Sequence, residues 1–289
     1  MKYNITHETE YKYSIPVTIS QHIIHLEPRT TERQRWSNHV VEITPEPAYK
    51  TTRDDIYGNK VMAFSIEDEH KIFKVVAKGT VEVIANEIPE KSMSWEEAKM
   101  RLSKPQTQQD IKGSMFLYSS PLVLFDGAIR RYAYTSFTEG RPIMEACLDL
   151  NHRIFTDFQY APGSTRIGTL PSEVLRDRKG VCQDFAHFMI ACLRSIGLSC
   201  GYISGYLHTR KKNEQPKLIG ADATHAWVSV YIPDVGFIEF DPTNDCLAGE
   251  EHIIVSKGRD FGDVSPLKGV ITGGGPHTLN VAVNVEETD

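Results

Sequence analysis

Over the first third of the chain, apolar and polar positions alternate with a period of two. Tyr3, Ile5, His7, Thr9, Tyr11 and Tyr13 fall on one face of an extended run, and Pro16, Pro28, Pro45, Pro47 and Asp55–Asn59 break the later runs. Such alternation predicts short strands from Tyr3 to about Ile84. Short strands must pair or close to hide their edges, so the expected form is an all-β sandwich. From Ile88 to Asp110 the sequence turns polar and reads as a linker, in which Ser94 caps a short helix, SWEEAKMRL, that Pro105 ends. Met115 to Phe125 reads as an apolar helix or buried loop. Pro142 then opens a helix with Ile143, Ala146, Cys147, Leu150, Ile154 and Phe158 on one face, and Pro171 with Ser172 starts a shorter one.

The strongest helical period comes after Gly180. Phe185, Phe188, Met189, Cys192, Leu193 and Ile196 recur at three- and four-residue spacing, and Gly197 supplies the stop. A strand at Cys200–Gly205 and a polar loop at His208–Gly220 follow. Next comes a β-rich run, THAWVSVYI, then the turn Pro233-Asp234-Val235-Gly236 and a second strand through Phe237–Thr243. A glycine-broken tail ends in a strand at Leu279–Val285. Helices followed by an antiparallel sheet define an α+β class. The divisions implied are a β-sandwich domain at 1–88, a linker and helical segment at 89–138, and a core at 139–289.

Composition changes this picture little. At 289 residues, with 40% hydrophobic and 24% charged residues, the chain is an ordinary globular sequence long enough for two cores. A net charge of −6 without a basic stripe argues against a nucleic-acid partner. The five cysteines contain no close CxxC pair and are odd in number, which reads as reduced thiols. The start, MKYNITHETEYKYS, lacks the apolar centre of a secretory signal, and nowhere do eighteen apolar residues run together. These features point to the cytoplasm, with no membrane association. His7, His22, His25 and His39 match no metal-ligand spacing.

The candidate chemistry sits at Cys182. It falls where the helix begins, and there unpaired N–H groups and the helix dipole can lower a thiol pKa from about 8.5 to between roughly 3.5 and 7.5. A base and an orienting acid follow downstream in the predicted hairpin. His225 and Asp241 share a face only if the connecting loop has an odd length, as in a three-residue turn with Gly236 left-handed. Asp241 then lies diagonally across from His225. His187, five residues beyond Cys182, points about 140° away and reads as structural. Trp227, on the His225 face, reads as packing over the site. Gly273-Gly274-Gly275 lacks the lysine and following helix of a phosphate loop and reads as a flexible loop.

The segments GVCQDFAHFMIACLRSIGL, YISGY, HAWVSVYIP and GFIEFDPTN, in this order, resemble the core of the bacterial transglutaminase-like proteins, whose Cys-His-Asp arrangement is papain-like. MKYNITHETEYKYSIPV, HLEPR and DDIYGNKV resemble the β-rich N-terminal domain fused to such cores, and GRDFGDVSPLKGVITGGGPHTLNVAV resembles their C-terminal segment. The resemblance implies a core of helices packed on an antiparallel sheet, with Cys182 as nucleophile, His225 as base and Asp241 as orienting acid. One oxyanion donor is then the Cys182 backbone N–H. The second, a tryptophan in the calcium-dependent animal enzymes, falls here in FTDFQYAPGSTR, on Gln159 or Tyr160. The implied activity is a thiol-dependent amide-bond reaction through a thioester, as a peptidase or amidase acting on a peptide or protein. Protein-glutamine transamidation and a noncatalytic binding module with a vestigial site are the alternatives. No cofactor or metal is called for, and homo-oligomerisation stays open.

Overall fold

The computed structural model describes residues 1–85, 91–208 and 224–288. The alternating N-terminal pattern forms β1 (Lys2–Ile24), β2 (Gln34–Thr44), β3 (Tyr49–Asp54), β4 (Lys60–Ile66) and β5 (His70–Val83). β1 is long enough to serve two sets of partners. Its first half, Lys2 to Lys12, pairs with β5, and its second half, Ser20 to Ile24, pairs with β4. The strands run in the order β2-β5-β1-β4-β3 within one antiparallel sheet that β1 carries from one end to the other. Where the alternation predicts a sandwich, the ladders describe one curled sheet of seven strands.

The remaining two strands come from the far end of the sequence. β13 (Leu267–Gly273) and β14 (His277–Thr288) both pair with β1, with Ile24 opposite Leu267 and Lys2 opposite Thr288. The tail assigned to the core on its sequence position therefore completes the N-terminal sheet. Gly273, Gly274 and Gly275 join the two strands at φ values of 94°, 83° and 59°. Their turn is pinned by Gly274 N–H to Pro16 O at 3.1 Å and Ser14 N–H to Pro276 O at 2.9 Å. The three glycines make a hairpin turn between the two strands, because left-handed backbone in succession favours glycine.

The segment expected to be a linker is part of the second unit. After residues 86–90, which lie outside the described set, α1 (Trp95–Ser103) starts at Ser94, whose hydroxyl accepts the Glu97 N–H at 3.2 Å. α2 (Gln108–Ser114) and α3 (Gly127–Ser136) follow, with Met115–Phe125 between them as a nonhelical loop that buries Phe116 and Val123 but exposes Met115, Tyr118 and Leu124. Trp95, Ala98, Leu102, Val123 and Ile129 are buried in the same core as α4 (Ile143–Asp157), α5 (Pro171–Asp177) and α6 (Cys182–Ser195). Two-residue strands β6 (Gln159–Tyr160) and β7 (Lys179–Gly180) pair in parallel just ahead of α6.

Against these helices lies an antiparallel sheet of β8 (Cys200–Leu207), β9 (Thr224–Ile232), β10 (Gly236–Asp241), β11 (Cys246–Leu247) and β12 (His252–Gly258), in the order β11-β10-β9-β8-β12. A single turn, α7 (Phe261–Val264), follows it. The polar loop read at His208–Gly220 falls, after His208, outside the described residues. None of the described helices is long and apolar enough to cross a membrane.

The two units meet along β12, an edge strand. Two side-chain amides substitute for a neighbouring strand. Gln34 donates to Ile254 O at 2.6 Å and accepts Ile254 N–H at 2.8 Å, and Asn59 does the same at Lys257 with 2.8 and 2.9 Å. Exposed strand edges are templates for unwanted pairing, and this one is covered from within. Beside it Tyr3, Ile5, Val81 and Val83 bury against Tyr206, Ile253 and Val255, and His7 meets the Tyr206 hydroxyl at 2.8 Å.

Candidate active site

Cys182 is the first residue of α6, with extended Val181 before it. N–H groups in the first turn have no partner within the helix. The Asp184 carboxylate satisfies one at the boundary, accepting Val181 N–H at 2.8 Å, and it also accepts the Thr165 hydroxyl at 2.6 Å. Burial pushes the Asp184 carboxyl up, while these two bonds oppose the shift. Gly180 is required by this cap. A Cβ there would lie 2.8 Å from Asp184 Cβ, closer than packed carbons approach. The helix places Cys182 half-buried with a free thiol, and Phe185, Phe188 and Met189 fix its inner face in the core.

The hairpin carrying the other two groups has the odd loop. Ile232 pairs with Gly236, leaving Pro233, Asp234 and Val235 between them, and Asp234 and Gly236 are left-handed at φ 66° and 103°. The register continues to Phe240 opposite Val228, so Asp241 stands on the face of Trp227 and diagonal to His225. His225 Nε2 meets Asp241 Oδ2 at 2.8 Å, and both side chains are sealed from solvent. Trp227 is fully buried and stacks on His225, with ring centroids 5.8 Å apart.

Asp241 is held by more than His225. Its Oδ1 accepts Thr243 N–H at 2.9 Å and Asn244 N–H at 3.3 Å, the turn that an Asp-Pro-Thr-Asn run favours. Its Oδ2 also accepts Asn244 Nδ2–H at 2.7 Å and meets His252 Nε2 at 3.1 Å. Burial alone would raise this carboxyl. The His225 charge and hydrogen bond, joined by the His252 hydrogen bond, outweigh it and hold Asp241 well below the usual carboxylate range.

His225 shows the reciprocal effect. Burial would lower its pKa, but the Asp241 charge and hydrogen bond, and then the Cys182 thiol, raise it to about 10. Nδ1 is the ring nitrogen left for Cys182. It makes no closed hydrogen bond among the described residues, so the thiol–imidazole contact is open, as in many unliganded sites. Pairing Nε2 with a carboxylate fixes the proton there and turns Nδ1 toward the sulfur.

The two oxyanion candidates separate by strand parity. Tyr160 is half-buried against the core, its ring 6.3 Å from that of Phe185, and its hydroxyl pKa is raised by burial and then by Cys182. Gln159 faces solvent. His187 is buried away from the site, accepting Phe261 N–H at 3.1 Å and packing on Tyr202. Burial lowers its pKa to about 4. Two further residues of the site, Asn244 and His252, escape a reading of the sequence alone. Asn244 has a visible signal in the turn run after Asp241, whereas His252 only opens a strand.

His225, Asp241 and His252 form a buried group of three metal-capable ligands. Their separations fit hydrogen bonds, since two zinc ligands at about 2.0–2.1 Å in a tetrahedron stand roughly 3.3 Å apart. Both imidazoles contact the same oxygen, Oδ2, at 2.8 and 3.1 Å.

Residues 3–82 match the bacterial transglutaminase-like N-terminal region, and residues 132–242 match the transglutaminase-like superfamily. Uncharacterized protein Rv2569c of Mycobacterium tuberculosis is 39% identical over 98% of this chain and 92% of its own length. The chain belongs to the transglutaminase-like superfamily. Another relative, Uncharacterized protein ML0607 of Mycobacterium leprae, is 29% identical over 97% of both chains. Among solved structures, a "Putative Cysteine Protease" from Cytophaga hutchinsonii superposes with a TM-score of 0.78 at 21% identity, covering all of this chain and 92% of that one. That likeness extends the transglutaminase-like fold over both units, including the curled sheet.

Proposed function

We propose that this protein is a thiol hydrolase that cleaves amide bonds in peptides or proteins, with Cys182 as nucleophile, His225 as general base and acid, and Asp241 as the orienting acid. The observation that carries the reading is the division of His225, with Nε2 on Asp241 at 2.8 Å and Nδ1 left to the thiol at the start of α6. In the first half-reaction the Cys182 sulfur, its proton passed to Nδ1, bonds to the carbonyl carbon as the C=O π electrons move onto oxygen. The C–N bond then breaks as the leaving amine takes a proton from Nδ1. In the second, water gives a proton to Nδ1 as its oxygen bonds to the thioester carbon, and the C–S bond breaks to release the acid and the Cys182 thiolate beside the protonated Nδ1. The Cys182 N–H and the Tyr160 hydroxyl are the proposed oxyanion donors. The name carried by the Cytophaga hutchinsonii neighbour favours hydrolysis over transamidation, and five free thiols suit a reducing, cytoplasmic setting.

The test is a peptide-library screen of wild type beside Cys182→Ala, read by mass with and without a primary amine. Cleavage by wild type alone supports hydrolysis. Amine incorporation without cleavage replaces it by transamidation, and identical inactivity of both proteins across the library favours a binding module.

A further inference from the structure

His252 belongs to β12, the strand farthest from Asp241 in the sheet order, yet its ring reaches the same carboxylate oxygen as His225. Its protonation is set locally. Gly249 donates its N–H to His252 Nδ1 at 3.2 Å, so Nδ1 is the unprotonated nitrogen and Nε2 carries the hydrogen that points at Oδ2, 3.1 Å away. The ring is 2% exposed and packs edge-on against Trp227, with centroids 5.2 Å apart. A buried imidazole fixed in one tautomer, with both nitrogens used, has one direction in which to donate.

We propose that His252 is a positioning residue, one that fixes the Asp241 carboxylate against His225 by donating Nε2–H to Oδ2 from the opposite edge of the sheet. The proposal rests on the catalytic reading above and adds a fourth member to it. Three donors converge on Oδ2, namely His225 Nε2, His252 Nε2 and Asn244 Nδ2, while Oδ1 is taken by the turn. With His252 in place the carboxylate cannot rotate away from His225 or admit water. Without it the hold on the imidazolium weakens, so the His225 pKa falls. Cys182 faces His225 from α6, and Cys246 pairs opposite Asp241 on β11, its thiol raised to about 12 by burial and then by Asp241.

The experiment needs no substrate. Rates of Cys182 alkylation by iodoacetate and by iodoacetamide are measured from pH 5 to 11. The anionic reagent gains over the neutral one only while His225 is an imidazolium beside the sulfur, so their rate ratio reports the His225 charge. In wild type the ratio should fall with a midpoint near 10. His252→Phe keeps the ring volume and loses the donor. The expected result is a midpoint lower by about one pH unit or more and alkylation about tenfold slower at pH 6, as for loss of a hydrogen bond to a charged group. His252→Gln, whose amide can donate to Oδ2, should return the midpoint toward wild type.

A merely structural His252 would reduce the folded fraction without moving the midpoint. An unmoved midpoint in His252→Phe, or an equal shift in His252→Gln, overturns the proposal. Should His252→Phe not fold, imidazole nitrogen NMR of the wild type decides. A neutral Nε2–H tautomer of His252 with a slowly exchanging proton supports the proposal, and an Nδ1–H tautomer overturns it. If wild-type Cys182 behaves as a free thiol at every pH, the catalytic reading falls first and this proposal with it.

Discussion

At Asp241 one carboxylate serves as the end of a strand, the cap of a turn and the partner of two histidines. Its buried charge is tolerated because five hydrogen-bond donors surround it. The expected kinetic consequence is graded. Cys182→Ala abolishes activity and His225→Ala nearly does, whereas Asp241→Ala retains a measurable rate. Loss of the acid in a serine triad costs about 10⁴ in turnover, and the loss is smaller wherever a His-paired thiolate forms before substrate arrives. Steady-state rates on any peptide found in the screen check this order. Stability has its own pH signature. His225, raised to about 10, stabilises the fold fully below its unfolded value of about 6.5 and loses that contribution as pH rises toward 10. Asp241, depressed, stabilises above about 3.9 and loses its contribution as pH falls. Urea midpoints of wild type should therefore decline from pH 7 to 10, and Asp241→Asn should flatten that decline. An equal slope in both would remove the ion pair as its cause.

Among the elements, glycines set how closely the pieces approach. Gly180→Ala would force a methyl onto Asp184 and loosen the start of α6. Gly205→Ala, directly opposite His225, would drive a methyl into Trp227 and the Ile253 carbonyl. Overpacking of this kind typically costs about 1–3 kcal/mol. The larger effect is expected at Gly205, where part of the obstacle is backbone, and urea unfolding of the two variants measures it. These elements also show what the sequence could and could not disclose. The period of α6, its start at Cys182 and the two strands of the hairpin were readable because each depends on neighbours within a few residues. The loop parity that brings Asp241 to His225 was readable only as a condition, since turn geometry decides it. His252 was invisible, because nothing local in HIIVSKG records that β12 lies two strands from His225 across the sheet. The short helix capped by Ser94 was readable, but the polar composition of residues 91–110 concealed that it belongs to the core, where it buries Trp95, Ala98 and Leu102.

At the scale of the whole molecule the N-terminal unit is tied into the site's scaffold. Gln34 and Asn59 complete the edge of β12, the strand that presents His252. Gln34→Ala would leave the buried Ile254 N–H without this partner, while Ile254 O keeps the Arg29 N–H at 3.2 Å, an expected loss of about 1–3 kcal/mol that thermal unfolding can measure. The same unit carries an acid-sensitive core position. His22 is buried between Phe64 and Phe73 with neither ring nitrogen bonded among the described residues, and burial, followed by the charge of His70, lowers its pKa to about 4. Unfolded chains bind this proton at about pH 6.5, so His22 destabilises the fold progressively as pH falls from about 6.5 toward 4. His22→Phe should lessen the drop in melting temperature over that interval. An unchanged drop would assign it to other groups, such as His7 and His187, whose pKa values are also lowered to about 4.

The pairing of β1 with β13 and β14 also imposes an order of events on synthesis. Lys2 is translated 286 residues before its ladder partner Thr288. At typical elongation rates that is a delay of about 15–60 s. Throughout it β1 can pair with β4 and β5 while its other edge stays open, so the nascent chain carries an unpaired strand until β13 and β14 emerge. Contacts this distant along the chain also slow folding after release. Cells lacking holding chaperones should therefore accumulate this protein in aggregates formed during translation, even if the finished fold is stable.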